Sequence, residues 1–168
     1  LLQEIAERKL TEDALKKSWD YLENLNNSLG DAIFTVKMPE QVIEYGNQAV
    51  ENIFGYTIDE CIGENTSMFF SHKKSYLKFS SKLRKAFKQQ QEVLRTEQVL
   101  KRKNGECFTA EITTTFLHEN NTLARTISIV RDITDRKEME LALKQERASL
   151  AQKVEERTVE LQRMNTEL

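Results

Sequence analysis

The sequence predicts an α+β fold, a five-stranded antiparallel sheet with short helices on one face, flanked by amphipathic helices at both ends. Three observations predict it. All five glycines and the single proline fall between Gly30 and Gly105, so neither end contains a helix breaker. The middle holds five stretches of strand character separated by turn signals. Their order is a strand pair, several helices and then a three-stranded meander, and a helical crossover lets the first pair join the meander's sheet.

Taken in order, Leu1 to Leu29 is rich in good helix formers, with Leu15, Trp19, Leu22, Leu25 and Leu29 as an apolar stripe. Ala32 to Val36 reads as a strand, and Pro39-Glu40-Gln41 turns it into a second, Val42 to Tyr45. Asn47 is expected to cap a helix carrying Ala49, Val50, Ile53 and Phe54, which stops at Gly55. Thr57 caps a short turn closed by Gly63, and a longer helix runs from about Lys73 to Gln91. Val93 to Lys101 then leads through Lys103-Asn104-Gly105, a signal for a type I′ hairpin, into Glu106 to Leu117. Phe108, Ala110, Ile112, Thr114 and Phe116 alternate onto one face of that strand. Glu119 to Thr122 turns the chain into a last strand, Leu123 to Ile133. There Leu123, Ile127 and Ile129 share one face, and Ala124 and Val130 the other.

The C-terminal segment carries a 4-3 alternation through Leu143, Arg147, Leu150, Val154, Arg157, Leu161, Met164 and Leu168. So narrow a stripe fits a partner helix, a coiled-coil seam, and a homodimer is expected with Leu15, Trp19 and Leu22 extending the seam at the other end. The alternative is a single exposed amphipathic helix. An internal echo joins the two ends: at an offset of 128, Ile5, Arg8, Lys9, Glu12, Ala14, Leu15 and Lys16 repeat as Ile133, Arg136, Lys137, Glu140, Ala142, Leu143 and Lys144. On that basis Leu1 to Ser18 is expected to be the exit helix of a preceding module in a longer protein. The expected division is 1–29 linker helix, 30–135 central domain and 136–168 coiled-coil helix.

Composition narrows the function. A net charge of −2 over 168 residues gives no overall pull toward polyanions, and no nucleic acid partner is expected. Asp31 to Phe70 holds seven acidic residues against Lys37, whereas Lys73, Lys74, Lys78, Lys82, Arg84, Lys85 and Lys88 stand with no acid between Ser71 and Gln91. Those lysines mostly oppose the helix's apolar residues and read as a solvated face. No run is apolar enough to span a membrane, and no basic start followed by an apolar run reads as a signal peptide. Cys61 and Cys107 form neither a disulfide framework nor a zinc-type pair, so a reducing, cytoplasmic setting is expected.

Asn47-Gln48-Ala49, Phe54-Gly55-Tyr56-Thr57, Glu60 and Gly63 resemble the helix-to-turn motif of PAS domains from bacterial signalling proteins. Lys101 to Gly105 resembles that family's strand hairpin, and Val130-Arg131-Asp132-Ile133-Thr134-Asp135-Arg136-Lys137 is similar to its exit signature. Together these motifs cover about residues 28–138. The resemblance implies a sensor and transmitter, with Asp132, Ile133 and Thr134 relaying a change on the sheet to the exit helix. The short oxygens of Asp132 and Thr134 stand where a strand becomes a helix and can cap its first amides. Val154 to Leu161 resembles the linker preceding the phosphoacceptor helices of sensor histidine kinases, and similar linkers precede cyclase and phosphodiesterase output domains. The expected neighbours are therefore a PAS or other sensory domain before the chain and an output domain after it.

No catalytic set is expected. His72 and His118 are the only histidines, and no glycine-rich phosphate loop appears. Flavin photosensors of the resembled family carry a Cys after the position of Gly63, whereas Glu64 to Phe70 has none, so cysteinyl-flavin photochemistry is not expected. A haem reading would rest on His72 as ligand, but His72 is followed by Lys73-Lys74. Phe54, Tyr56, Ile62, Met68, Phe69, Leu77, Phe87, Phe108, Ile112 and Ile127 are candidates to line a small-molecule pocket, and the same residues equally describe a filled core. No cofactor is assigned. Three functions stay open: a signalling module, a structural dimerisation spacer without ligand, and a haem-based gas sensor.

Overall fold

The computed structural model describes residues 1–28 and 30–168, with Asn26 and Asn27 described by their backbone alone. Two compact units emerge, Leu1–Asp132 and Ile133–Leu168. In the first, helix α1 (Leu2–Ser28) precedes strands β1 (Ala32–Lys37) and β2 (Val42–Gly46). Helices α2 (Ala49–Phe54) and α3 (Ile58–Cys61), a 3-10 turn (Thr66–Phe69) and α4 (Lys73–Lys88) form the crossover. Strands β3 (Val93–Lys101), β4 (Cys107–Glu119) and β5 (Thr122–Asp132) complete it. All five strands pair antiparallel in the order β2-β1-β5-β4-β3, as the connectivity predicts.

The sheet's inner face follows strand parity. Ala32, Phe34 and Val36 of β1 point inward together with Phe108, Ala110, Ile112 and Phe116 of β4, and all are buried. Against them lie Phe54 of α2, Phe69 of the 3-10 turn, and Phe79 and Leu83 of α4. Phe54 is the hub: its ring centroid is 4.3 Å from Phe69, 5.5 Å from Phe108 and 5.7 Å from Phe34. The opposite face of α4 carries all seven basic residues named above, each exposed.

Three local expectations change. Asn47 does not cap α2; the N-cap position is Gln48, without a side-chain cap bond. Asn47 is instead buried at 2% exposure, where its Oδ1 accepts from the Ile33 amide at 2.9 Å and its Nδ2 donates to the Asp31 carbonyl at 3.0 Å. This side chain stitches the entry of β1, alongside the Asn47 amide, which donates to the Ile33 carbonyl at 3.1 Å. The β3–β4 hairpin is not type I′, because φ is positive at Gly105 alone among Lys103, Asn104 and Gly105. The Gly105 amide closes a turn on the Arg102 carbonyl at 3.0 Å, the three-residue form with left-handed glycine last. Positive φ at both central residues occurs in the β4–β5 turn, at Asn120 (51°) and Asn121 (61°). Asparagine tolerates that region because its short amide can bond locally. Finally, α4 ends at Lys88, three residues short of Gln91.

The second unit is helix α5 (Thr134–Thr166), with no buried residue. Leu143, Leu150, Val154, Leu161, Met164 and Leu168 are all exposed, as are Leu15, Trp19, Leu22 and Leu25 of α1. Leu29, the last member of the N-terminal stripe, lies outside the described residues. No helix among the described residues is long and apolar enough to cross a membrane.

Candidate functional site

Between the sheet and the helices lies a cavity of about 50 Å³. Of the ten candidate pocket residues, Phe54, Phe69 and Ile112 line it. Phe108 is buried beside Phe54, while Tyr56 and Met68 are partly buried against the core, all three away from the cavity wall. Ile62, just after α3, and Leu77, on the outer side of α4, are exposed at 42% and 49%, and neither lines it. Phe87 packs near the far end of β4, 6.1 Å from Phe116, and Ile127 shares the parity of half-exposed Ile129 on the other sheet face. Sequence reasoning missed eight apolar lining residues, Phe34, Phe79 and Leu100 among them, and it also missed Gln41, Thr66, Thr126 and Ser128, because a search for apolar residues passes over hydroxyls and amides. The alternation in β5 could have found two of them, since Thr126 and Ser128 share the parity of buried Val130.

Four of the fifteen lining side chains are polar and none is charged. Gln41 and Ser80 exchange hydrogen bonds of 2.9 and 3.1 Å at one side of the core. Thr114 and Ser128 pair at 3.0 Å. Drug-sized ligand pockets occupy about 300 to 1,000 Å³. A flavin ring or a porphyrin therefore does not fit a space of about 50 Å³ between Phe34, Phe54 and Phe69. His72 stands exposed at the N-cap of α4 and does not line the cavity. Cys61 is buried in α3, and burial, reinforced by Glu60 and Glu51, pushes its thiol up to about 11. His118 lies in β4 with its ring stacked on Phe87 at 5.3 Å.

A second arrangement joins the cavity helix to the end of the sheet. The last carbonyls of a helix lack intrahelical partners, and two residues of the β3–β4 hairpin supply them for α2. The Arg102 Nη1 donates to the Ile53 carbonyl, and the Lys103 amide donates to the Phe54 carbonyl at 2.8 Å. Arg102 also donates from Nη2 to Asp132 Oδ2 at 2.5 Å and lies 4.1 Å from the centroid of the Phe108 ring. The planar guanidinium thus addresses a carbonyl, a carboxylate and a ring face at once, which a lysine ammonium cannot do. Lys103 pairs with Glu60 at 2.5 Å, and that contact holds the Glu60 carboxyl below its ordinary range. At the opposite side of β5, Arg131 grips Asp31 with Nε at 3.0 Å and Nη2 at 2.6 Å. The fork ties the entry of β1 to the end of β5, and Asp31 raises the Arg131 guanidinium's affinity for its proton.

Of the three expected relay residues, Asp132 is therefore held by Arg102. Ile133 is buried and occupies the N-cap position of α5, where its side chain offers no cap bond, and Thr134 is the first helical residue. The cap expected from short oxygens does not fall on the N-cap position itself.

A five-stranded sheet in the order β2-β1-β5-β4-β3, crossed by short helices over a small cavity, is the framework to which a PAS domain family model fits across residues 30–135. The chain belongs to the PAS domain family. Solved PAS domains share the fold. One from Colwellia psychrerythraea is 22% identical with a TM-score of 0.62, covering 73% of this chain and 98% of that one. The PAS domain of an HTR-like protein from Haloarcula marismortui is 20% identical with a TM-score of 0.60, covering 74% and 99%. A third, from a LuxR-family transcriptional regulator of Burkholderia thailandensis in complex with ethanol, is 17% identical with a TM-score of 0.55, covering 61% and 88%. No curated protein matches the sequence.

Proposed function

We propose that this PAS domain is the sensor and transmitter of a multidomain signalling receptor, a sensor histidine kinase in the first instance. It has no catalytic activity of its own in this reading. Two copies associate along the seams of α1 and α5, and a change around the cavity reaches an output domain through α5. The observation that carries the reading is Arg102, which holds the end of cavity helix α2 and the last residue of β5 in one hand. A shift of Phe54 thereby changes what Asp132 can reach, one residue before the chain leaves the sheet. The exposed apolar stripe of α5 supports the dimer, since an a/d seam is covered only by another helix.

Disulfide trapping tests both parts in the intact chain with Cys61→Ala and Cys107→Ser as background. Single cysteines from Arg147→Cys, Leu150→Cys and Val154→Cys are oxidised, and the rates of interchain bond formation are compared. The seam predicts fast trapping at all three positions and a changed rate pattern on adding Arg102→Ala. Absence of trapping would remove the dimer, and an unchanged pattern would remove the relay. A second reading, a dimerisation spacer with a filled core, is favoured by the small cavity and the tight Phe54–Phe69 contact.

A further inference from the structure

Helix α4 carries a charge pattern that neither the cavity nor the hairpin node uses. Its seven basic residues, from Lys73 to Lys88, are all exposed, and none of them forms an ion pair among the described residues. At about 100° per residue their side chains fan over about half of the helix's circumference, along the roughly 24 Å of its 16 residues. This arrangement works against the helix itself. Lys73 and Lys74 sit in the first turn, where the helix dipole favours acids and α4 has none. Lys74, Lys78 and Lys82 follow one another four apart, as Arg84 and Lys88 do, the spacing at which like charges repel. A surface of negative charge laid on that face relieves both conflicts.

Side-chain chemistry selects the occupant. Six of the seven cations are lysine, a point charge on a flexible stem, whereas protein interfaces are depleted in lysine and favour the arginine fork. A diffuse anionic surface suits such a set better than a defined carboxylate. Tyr76, Phe79 and Phe87 turn toward the core, so no ring on the basic face is left for a nucleic acid base to stack on. Among the cations stands Leu77, 49% exposed, an aliphatic group that a lipid interface accepts and a phosphate backbone does not reward. The chain's net charge of −2 does not cancel the face, because at physiological salt fields fade within about 8 Å. Clusters of about four to eight lysines and arginines on one helix carry enough charge to hold to an anionic leaflet.

We propose that the basic face of α4 docks reversibly on the anionic headgroups of a phospholipid membrane. The contact is peripheral, since the apolar face of α4 packs on the core and no helix among the described residues is long and apolar enough to cross a membrane. Attachment therefore rests on charge. The inference goes beyond the sensory reading and does not depend on it.

The test is co-sedimentation of the intact chain with vesicles of phosphatidylcholine alone and of equal parts phosphatidylcholine and phosphatidylglycerol. The mixed vesicles should bind it at about 0.1 M salt and release it at about 1 M, where the screening length falls to about 3 Å. Phosphatidylcholine alone should not bind it. Combining Lys74→Glu, Lys78→Glu and Lys85→Glu should weaken binding about a hundredfold. Those changes relieve like-charge crowding on exposed positions, so the thermal unfolding midpoint should not fall. Lys9→Glu, Lys17→Glu and Lys37→Glu together make the same change in net charge at exposed positions off the face, and should keep most of the binding. Failure to bind the mixed vesicles, equal binding to phosphatidylcholine alone, or equal loss in the two triple variants would each overturn the proposal. Tighter binding of duplex DNA, single-stranded RNA or polyglutamate than of the mixed vesicles would also overturn it, by giving the face to a nucleic acid or an acidic protein. The sensory reading fails separately, through the disulfide pattern.

Discussion

Single side chains at the margins of the sheet decide how this domain holds together. Asn47 donates to one backbone group and accepts from another, and its replacement would strand the Ile33 amide and the Asp31 carbonyl in a buried setting. Asn47→Ala is expected to lower stability by about 2 kcal/mol, read as a drop in the urea midpoint. A change within about 0.5 kcal/mol would show that water replaces the amide without loss. Cys61 gives a pH signature. Its folded thiol titrates at about 11, above its ordinary value of 9.0, so the unfolded chain loses its proton first as pH rises. The associated stability is complete below pH 9 and drains away between about 9 and 11, by about 2 to 3 kcal/mol. Comparing urea midpoints of the parent chain and Cys61→Ala between pH 8 and 11 isolates it; parallel curves would contradict the shift. The sequence foretold the type of Asn47 but not its job, because capping and long-range stitching use the same amide. Choosing between them needs the distance to β1.

Elements were legible where period carried the information and obscure where turn geometry did. The alternation of β4 and the apolar face of α4 set their faces, and burial on folding follows that parity. The type I′ geometry expected at the β3–β4 hairpin occurs instead at the β4–β5 turn, since Asn104-Gly105 and Asn120-Asn121 both permit positive φ and only the register selects one. For the β4–β5 turn, Asn121→Gly should raise stability by about 0.5 kcal/mol, because glycine meets the left-handed requirement without a Cβ. A loss of stability in thermal unfolding would mean that the asparagine amide itself holds the turn. The cavity was only partly legible, because Gln41, Thr66, Thr126 and Ser128 carry polar side chains that a search for apolar residues passes over. The hairpin node was less so: Arg102 and Asp132 lie thirty residues apart, with no local pattern linking them. Arg102→Lys should recover little of the stability lost in Arg102→Ala, about 1 to 3 kcal/mol, as one ammonium cannot serve both the Ile53 carbonyl and Asp132. Full recovery in Arg102→Lys would reduce the node to simple charge.

For the whole molecule, the proposed dimer places its contacts in the helices outside the 30–135 match. Sedimentation of the intact chain is expected to show a dimer, and removal of Leu143 to Leu168 to shift it toward monomer. An intact chain that sediments as a monomer would exclude the seam as an interface. The near-zero net charge hides an acidic stretch before α4 and a basic face on it. Strand order has one more consequence, for the time scale on which the domain can speak. β5 is bracketed by β4 along its length and by β1 from Arg125 to Val130, whereas β3 lies at the sheet's edge and β2 is bordered by the loop whose Gly63 amide and Glu64 carbonyl bond Ile43. Amide protons at the centre of β5 should therefore exchange only through global opening, while those on the outer edge of β3 escape through local fraying. The strand that ends at Asp132 is thus the last to melt. In the proposed relay, a signal arriving there would travel as a displacement of an intact sheet, faster than any unfolding event, and not as the loosening of its final strand.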